Sequence, residues 1–232
     1  MVIAVTHPFD KKTKSKTSLY LARKLAENGN SVLLIDLASD CFITRELGYQ
    51  NLTRTITDVM DGSIKLDDII LRHGNFAFAS ANCALKLIDI SLAWTRERNR
   101  WLQRALDRLE IEFDTIIIDC DSSLSFLTLN ALTACDIALL PTFSEQNPKE
   151  TGAAIHLLGC EEIMQQKAQL ISNCENVFAQ LSEQFNRGSK LLLLDQPIWT
   201  QDYLLPELAV IKKEDFTPAV TEQIRDFTIY LN

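Results

Sequence analysis

Residues 11–18 read Lys11-Lys12-Thr13-Lys14-Ser15-Lys16-Thr17-Ser18. A short apolar segment, Val2-Ile3-Ala4-Val5, stands before them, and Leu19, Ala22, Leu25 and Ala26 follow at helical spacing. Strand, loop, Lys-Thr, helix is the layout of a phosphate-binding loop. Backbone N–H groups and a helix N-terminus hold the anion there. Glycines normally let such a loop curl closely around phosphate. Residues 11–18 contain none, while the lysine and the hydroxyl remain.

Outward from this stretch, apolar strand signals alternate with helical ones. Residues 31–37 (SVLLIDL) form a continuous apolar run after Gly29, which reads as a helix C-cap. Residues 55–61 and 65–73 read as short helices closed by Gly62 and Gly74, and 76–80 as a short strand. Residues 84–109 read as one long helical region with a charged middle. Residues 113–120 (FDTIIIDC) are a buried strand ending in an acid. Further along, 124–135, 148–166, 175–185 and 218–231 read as helices, and 137–141, 168–172 and 190–194 as strands. Such alternation predicts an α/β fold, a mostly parallel twisted sheet with helices on both faces. The expected organisation is a single domain over 1–232. Ligands of such sheets bind at the carboxyl ends of the strands, here marked by Thr6, Asp36, Asp119 and Pro141.

The 232 residues are 47% hydrophobic, enough for a substantial core, and the net charge of −8 argues against a protein that coats nucleic acid generally. Six scattered cysteines form neither a CxxC pair nor a zinc spacing, so buried reduced thiols and a cytoplasmic compartment are expected. No secretory signal is expected, since charges begin at Asp10, and no apolar run reaches the ~18 residues a membrane span needs.

The order of motifs resembles the ParA/Soj/MinD family of P-loop ATPases, whose deviant phosphate loop reads KGGxGK[ST]. Lys11 through Thr17 aligns with that loop. Val32-Leu33-Leu34-Ile35-Asp36 is similar to the family's VLLIDxDPQ, 113–120 to its YDxIIIDCPPS strand, and Leu127–Leu132 to its TLNAL helix. The resemblance is good over 1–145 and loose beyond.

It implies a ParA-type ATPase that binds ATP or ADP with Mg²⁺. Lys11 would be the signature lysine that reaches a partner's site across a homodimer, and Lys16 the phosphate lysine. Lys12, Thr13, Lys14, Ser15 and Ser18 would complete the nucleotide loop, and Asn173 and Pro197 would lie at the base. Thr17 and Asp119 would hold the metal, and Asp36 would support the same site. A ParB-like partner protein, non-specific DNA touched through Lys212-Lys213, and a nucleoid-associated location are further implications. The last helix lacks the basic amphipathic character of a membrane anchor.

The departures point the other way. Lys12, Thr13 and Ser15 stand where the family has glycine, and Ala38 stands where it has a catalytic acid. Asp40 and Asp121 are the nearby substitutes, Asp121 being read as a helix-capping acid. Counted from Thr6, the loop also reaches Lys16 two residues later than the family pattern does. Two functions therefore stay open: a nucleotide-switched partition or positioning protein with weak or absent hydrolysis, and a nucleotide-free pseudo-ATPase acting as scaffold or dimerisation module. On the plain structural reading, Lys11, Lys12 and Lys14 belong to a solvated basic loop and Lys16 and Thr17 lie at a helix start, with Ser15 or Thr17 as N-cap.

Overall fold

The structure is a computed structural model, and it describes residues 1–7, 11–95, 98–123, 125–141, 168–171 and 193–194. The chain divides into two units, Met1–Asp136 and Ile137–Asn232.

The first unit is built on the apolar strands expected from sequence. Strand β1 (Val2–Val5) pairs in parallel with β5 (Thr115–Asp119), and β5 with β2 (Val32–Asp36). Strand β2 pairs in parallel with β4 (Phe76–Ala79). Strands β2 and β5 are buried along their whole length, which is why their runs do not alternate with polar residues. The edge differs from expectation. Residues 65–73, read as a helix, form a 3₁₀ turn at Leu66–Ile69 and then strand β3 (Leu71–His73). Gly74, at φ +57, turns β3 back antiparallel onto β4. It closes a hairpin, not a helix.

Helix α1 (Lys11–Glu27) packs against β1, β2, β4 and β5. Its buried positions include Lys14, Ser18, Leu21, Ala22 and Leu25, one face of a 3.6-residue repeat. Gly29 ends it at φ +91, and Asn30 N donates to Leu25 O at 3.1 Å, so the expected glycine C-cap is present. The N-terminal end is the larger departure. Residues 11–18 are helical throughout, so Ser15 and Thr17 lie inside the helix and are not its caps.

Helices α2 (Phe42–Glu46) and α3 (Ile56–Met60) follow β2. In α3, Thr55 and Asp58 form a reciprocal capping box. The long helical region expected over 84–109 is two helices, α4 (Leu85–Leu92) and α5 (Trp101–Asp107). Helix α6 (Phe126–Ala134) is capped by Ser125, whose hydroxyl accepts from Thr128 N at 3.3 Å. Asp121 is therefore not its cap. The buried Asn130 amide accepts from Leu102 N and donates to Phe126 O and Arg98 O, which pins α5 to α6.

In the second unit, β6 (Ile137–Pro141), β7 (Ala168–Ile171) and β8 (Leu193–Leu194) pair in parallel, in that order. The helices expected over 148–166, 175–185 and 218–231 lie outside the described residues.

Candidate functional site

The parallel register sets Asp119 beside Val5 on one side and Asp36 on the other. Three strand ends thus meet at the carboxyl edge of the sheet, and α1 starts above them. Asp119 is fully buried there. Its carboxylate takes hydrogen bonds from three side chains of α1. Lys14 Nζ donates to Oδ1 at 2.8 Å, Ser15 Oγ to Oδ2 at 2.7 Å and Ser18 Oγ to Oδ1 at 2.9 Å. Lys14 Nζ also lies 3.1 Å from Ser15 Oγ, and Ser18 Oγ lies 3.0 Å from Lys14 O, so its single hydroxyl proton is shared between that carbonyl and the carboxylate.

Lys14 is 0% exposed, which is rare for a lysine and requires a partner. Burial works against its charge. The opposing charge and hydrogen bond of Asp119 outweigh burial and hold the ammonium's pKa above its ordinary value. Burial likewise pushes the Asp119 carboxyl up, against the pull of Lys14 and the two hydroxyls. The result is an internal ion pair with hydrogen-bond donors on both carboxylate oxygens.

Asp36, one strand away, is equally buried but differently used. Its Oδ1 accepts from Ala38 N at 3.1 Å, and its Oδ2 accepts from Thr44 N at 2.9 Å and Thr44 Oγ1 at 2.7 Å. Thr44 Oγ1 in turn accepts from Ala81 N at 2.8 Å. Asp36 is therefore the peg that ties the β2–α2 loop to the end of β4. Burial, and then the charge of Asp119, push its carboxyl up to about 7.

The lysine–hydroxyl pair brought to Asp119, Lys14-Ser15, lies two residues earlier than the pair marked by motif spacing, Lys16-Thr17. Lys16 is half-buried and Thr17 fully buried, each with interactions of its own. Lys11 and Lys12 are exposed on the first turn of α1. Asn173, Pro197 and Lys212-Lys213 lie outside the described residues. Asp40 Oδ1 accepts from Phe42 N, a local turn contact. Asp121 accepts from Ser39 Oγ at 3.3 Å and from Ser122 N and Ser123 Oγ, joining the loops after β2 and β5. Cys41, Cys120 and Cys135 are buried thiols and Cys83 is exposed. Burial pushes Cys41 up to about 12 and Cys120 well above its ordinary value, so neither is a thiolate nucleophile at neutral pH.

Sequence reasoning placed Lys14 and Ser18 in the nucleotide loop but not Lys14 as a buried cation or Ser18 as a donor to Asp119, and it missed Thr44. The signal for Lys14 was the distance from Thr6, which reaches a family-like lysine at 14 and not at 16. An ammonium, two hydroxyls and a carboxylate at the carboxyl edge of a parallel sheet are the donor set of a magnesium-bound polyphosphate. The chemistry of these residues fits that group.

A family model described as an AAA domain, AAA_31, matches residues 1–176. The sporulation initiation inhibitor protein Soj of Bacillus subtilis is 34% identical over 148 residues, 62% of this chain and 58% of Soj. The chromosome partitioning protein ParA of Caulobacter vibrioides is 29% identical over 146 residues, 60% of this chain and 55% of that protein. The chain spans about half the length of the relatives it matches. Among solved structures, cobyrinic acid a,c-diamide synthase of Mycobacterium smegmatis, with bound ATP analog and magnesium, superposes with a TM-score of 0.70. It is 25% identical, over 85% of this chain and 86% of that one.

Proposed function

Because the chain belongs to the AAA_31 family of AAA domains, in the ParA/Soj/MinD group of P-loop ATPases, we propose a ParA-like partition or positioning protein that binds Mg²⁺-nucleotide at the carboxyl edge of its sheet. The observation that carries this is the convergence of Lys14 and Ser15 on Asp119. Lys14 takes the role of the phosphate lysine, Ser15 that of the metal-binding hydroxyl, and Asp119 that of the strand-end acid. Ser15 and Asp119 would hold Mg²⁺, which would supply positive charge against the phosphates. Lys14 adds a point charge to the same phosphates. The family match crosses the boundary between the two units, which supports one functional domain over 1–232.

Hydrolysis is weak or absent in this reading. Ala38 offers no carboxylate to orient water. With Lys14 as phosphate lysine, the signature position five residues upstream is Phe9, not lysine. Lys11 and Lys12, exposed on the first turn of α1, are the cations left to reach across a homodimer. Nucleotide then acts as a switch, binding tightly to only one association state. A ParB-like partner and non-specific DNA complete the proposal for a cytoplasmic, nucleoid-associated protein. No described helix is long and apolar enough to cross a membrane.

One observation favours the second reading, a nucleotide-free scaffold: residues 11–13, where a phosphate loop would curl, are the first turn of α1. Light scattering separates the two. A monomer-to-dimer shift on adding ATP with Mg²⁺ is expected for the switch. An oligomeric state indifferent to nucleotide would favour the scaffold.

A further inference from the structure

We propose that the Lys14–Asp119 ion pair is a latch that keeps the site closed and makes nucleotide and metal bind only together. The inference rests on the nucleotide-binding reading above and specifies how that site is regulated. Lys14 and Asp119 are each 0% exposed, and their side chains meet at 2.8 Å. The cation meant for phosphate and the anion meant for metal therefore neutralise each other. Ser15 and Ser18 donate to the same carboxylate, at 2.7 Å on Oδ2 and 2.9 Å on Oδ1.

Opening has two halves, and either half alone is unfavourable. If Lys14 turns to a phosphate without metal, Asp119 stays buried with two hydroxyl donors and no counter-charge. A buried charge stripped of its partner is strongly destabilising. If a divalent cation approaches alone, it meets a carboxylate already paired, with the Lys14 ammonium beside it. Only when phosphate receives Lys14 and metal receives Asp119 does each charge keep a partner. Ser18 is a positioning residue in this exchange, and Ser15, the proposed metal hydroxyl, donates its proton to Asp119 at the same time. They sit on successive turns of α1 and grip both carboxylate oxygens, so Asp119 stays in place as Lys14 departs.

The test is calorimetric titration of ADP, with Mg²⁺ and with chelator, into the wild type and Asp119→Asn. Asparagine keeps the shape and removes the charge that holds Lys14. Metal-free ADP should bind Asp119→Asn about tenfold or more tightly than it binds the wild type, because no ion pair has to be broken. The benefit of Mg²⁺ should largely vanish in the variant. Equal or weaker metal-free binding in a folded Asp119→Asn overturns the latch and leaves nucleotide binding standing. Absence of ADP binding to both proteins, even with Mg²⁺, overturns the latch together with the reading beneath it.

A wild-type measurement covers the case of a variant that fails to fold. Amine acylation, read residue by residue by mass spectrometry, should leave Lys14 at least about tenfold less modified than exposed Lys11 and Lys12. Equal modification of all three contradicts a closed latch.

Discussion

Replacing Lys14 by methionine should do more harm than its surface-like sequence context suggests. Asp119 would be left buried with no counter-charge, a loss of about 3–5 kcal/mol. Adding Asp119→Leu should recover much of that loss, because a buried ion pair exchanged for apolar side chains of similar size is often near neutral. Urea denaturation of the two single variants and the double variant measures the coupling. Additive effects would mean that the pair seen at 2.8 Å carries no interaction energy. Asp36 sets a second expectation at this scale. Its folded pKa, raised to about 7 from an ordinary 3.8, means that the folded state binds the proton more tightly than the unfolded one. The sign follows: its contribution is most favourable below about pH 4 and is lost as pH rises through about 7. Asp36→Asn should flatten that slope in stability measured against pH. An unchanged slope would assign it to another group.

Among the elements, the apolar strands were the most legible. Val32–Asp36 and Thr115–Asp119 are continuous hydrophobic runs because both faces are covered, and a buried run announces itself without periodicity. The Gly29 cap was legible for a similar reason, since φ +91 suits glycine. The edge hairpin was not. Leu71–His73 is only three residues long and follows a 3₁₀ turn, so no period could develop. The gap between α4 and α5 was missed because the residues there suit a helix, and the break is fixed by tertiary contacts such as Asn130. At the site, the three strand-end residues were legible from their place in the runs. The register of α1 was not, because Lys14-Ser15 and Lys16-Thr17 offer the same chemistry two residues apart. Packing decides between them, and Lys14 falls on the buried stripe with Ser18, Leu21 and Leu25. Gly62 gives an element-scale expectation. It closes α3 at φ +83, and a Cβ there would stand 3.1 Å from Trp101 Cζ3 on α5. Gly62→Ala should therefore lower stability by about 1–2 kcal/mol from backbone strain alone, more if Trp101 cannot move. Thermal unfolding tests this, and an unchanged midpoint would mean the turn rearranges without loss.

For the whole molecule, the sheet, the family match and the site chemistry converge on one edge. Membership of the AAA_31 family shows what the fold descends from. The side chains around Asp119 bear on whether the nucleotide site survives the loss of glycine. In the proposed reading, Lys14 and Ser15 are the phosphate lysine and the metal hydroxyl, while Ala38 and Phe9 stand where a catalytic acid and a trans-acting lysine would be. On that proposal the protein would read nucleotide without rapidly consuming it. The assignment of Lys14 is the central point, and one titration addresses it. ATP with Mg²⁺ is titrated calorimetrically into the wild type, Lys14→Ala and Lys16→Ala, each checked for folding by circular dichroism. The expected result is binding by the wild type, its loss in Lys14→Ala by about a hundredfold or more, and a change of only a few-fold in Lys16→Ala. Binding that survives in Lys14→Ala and disappears in Lys16→Ala would contradict it.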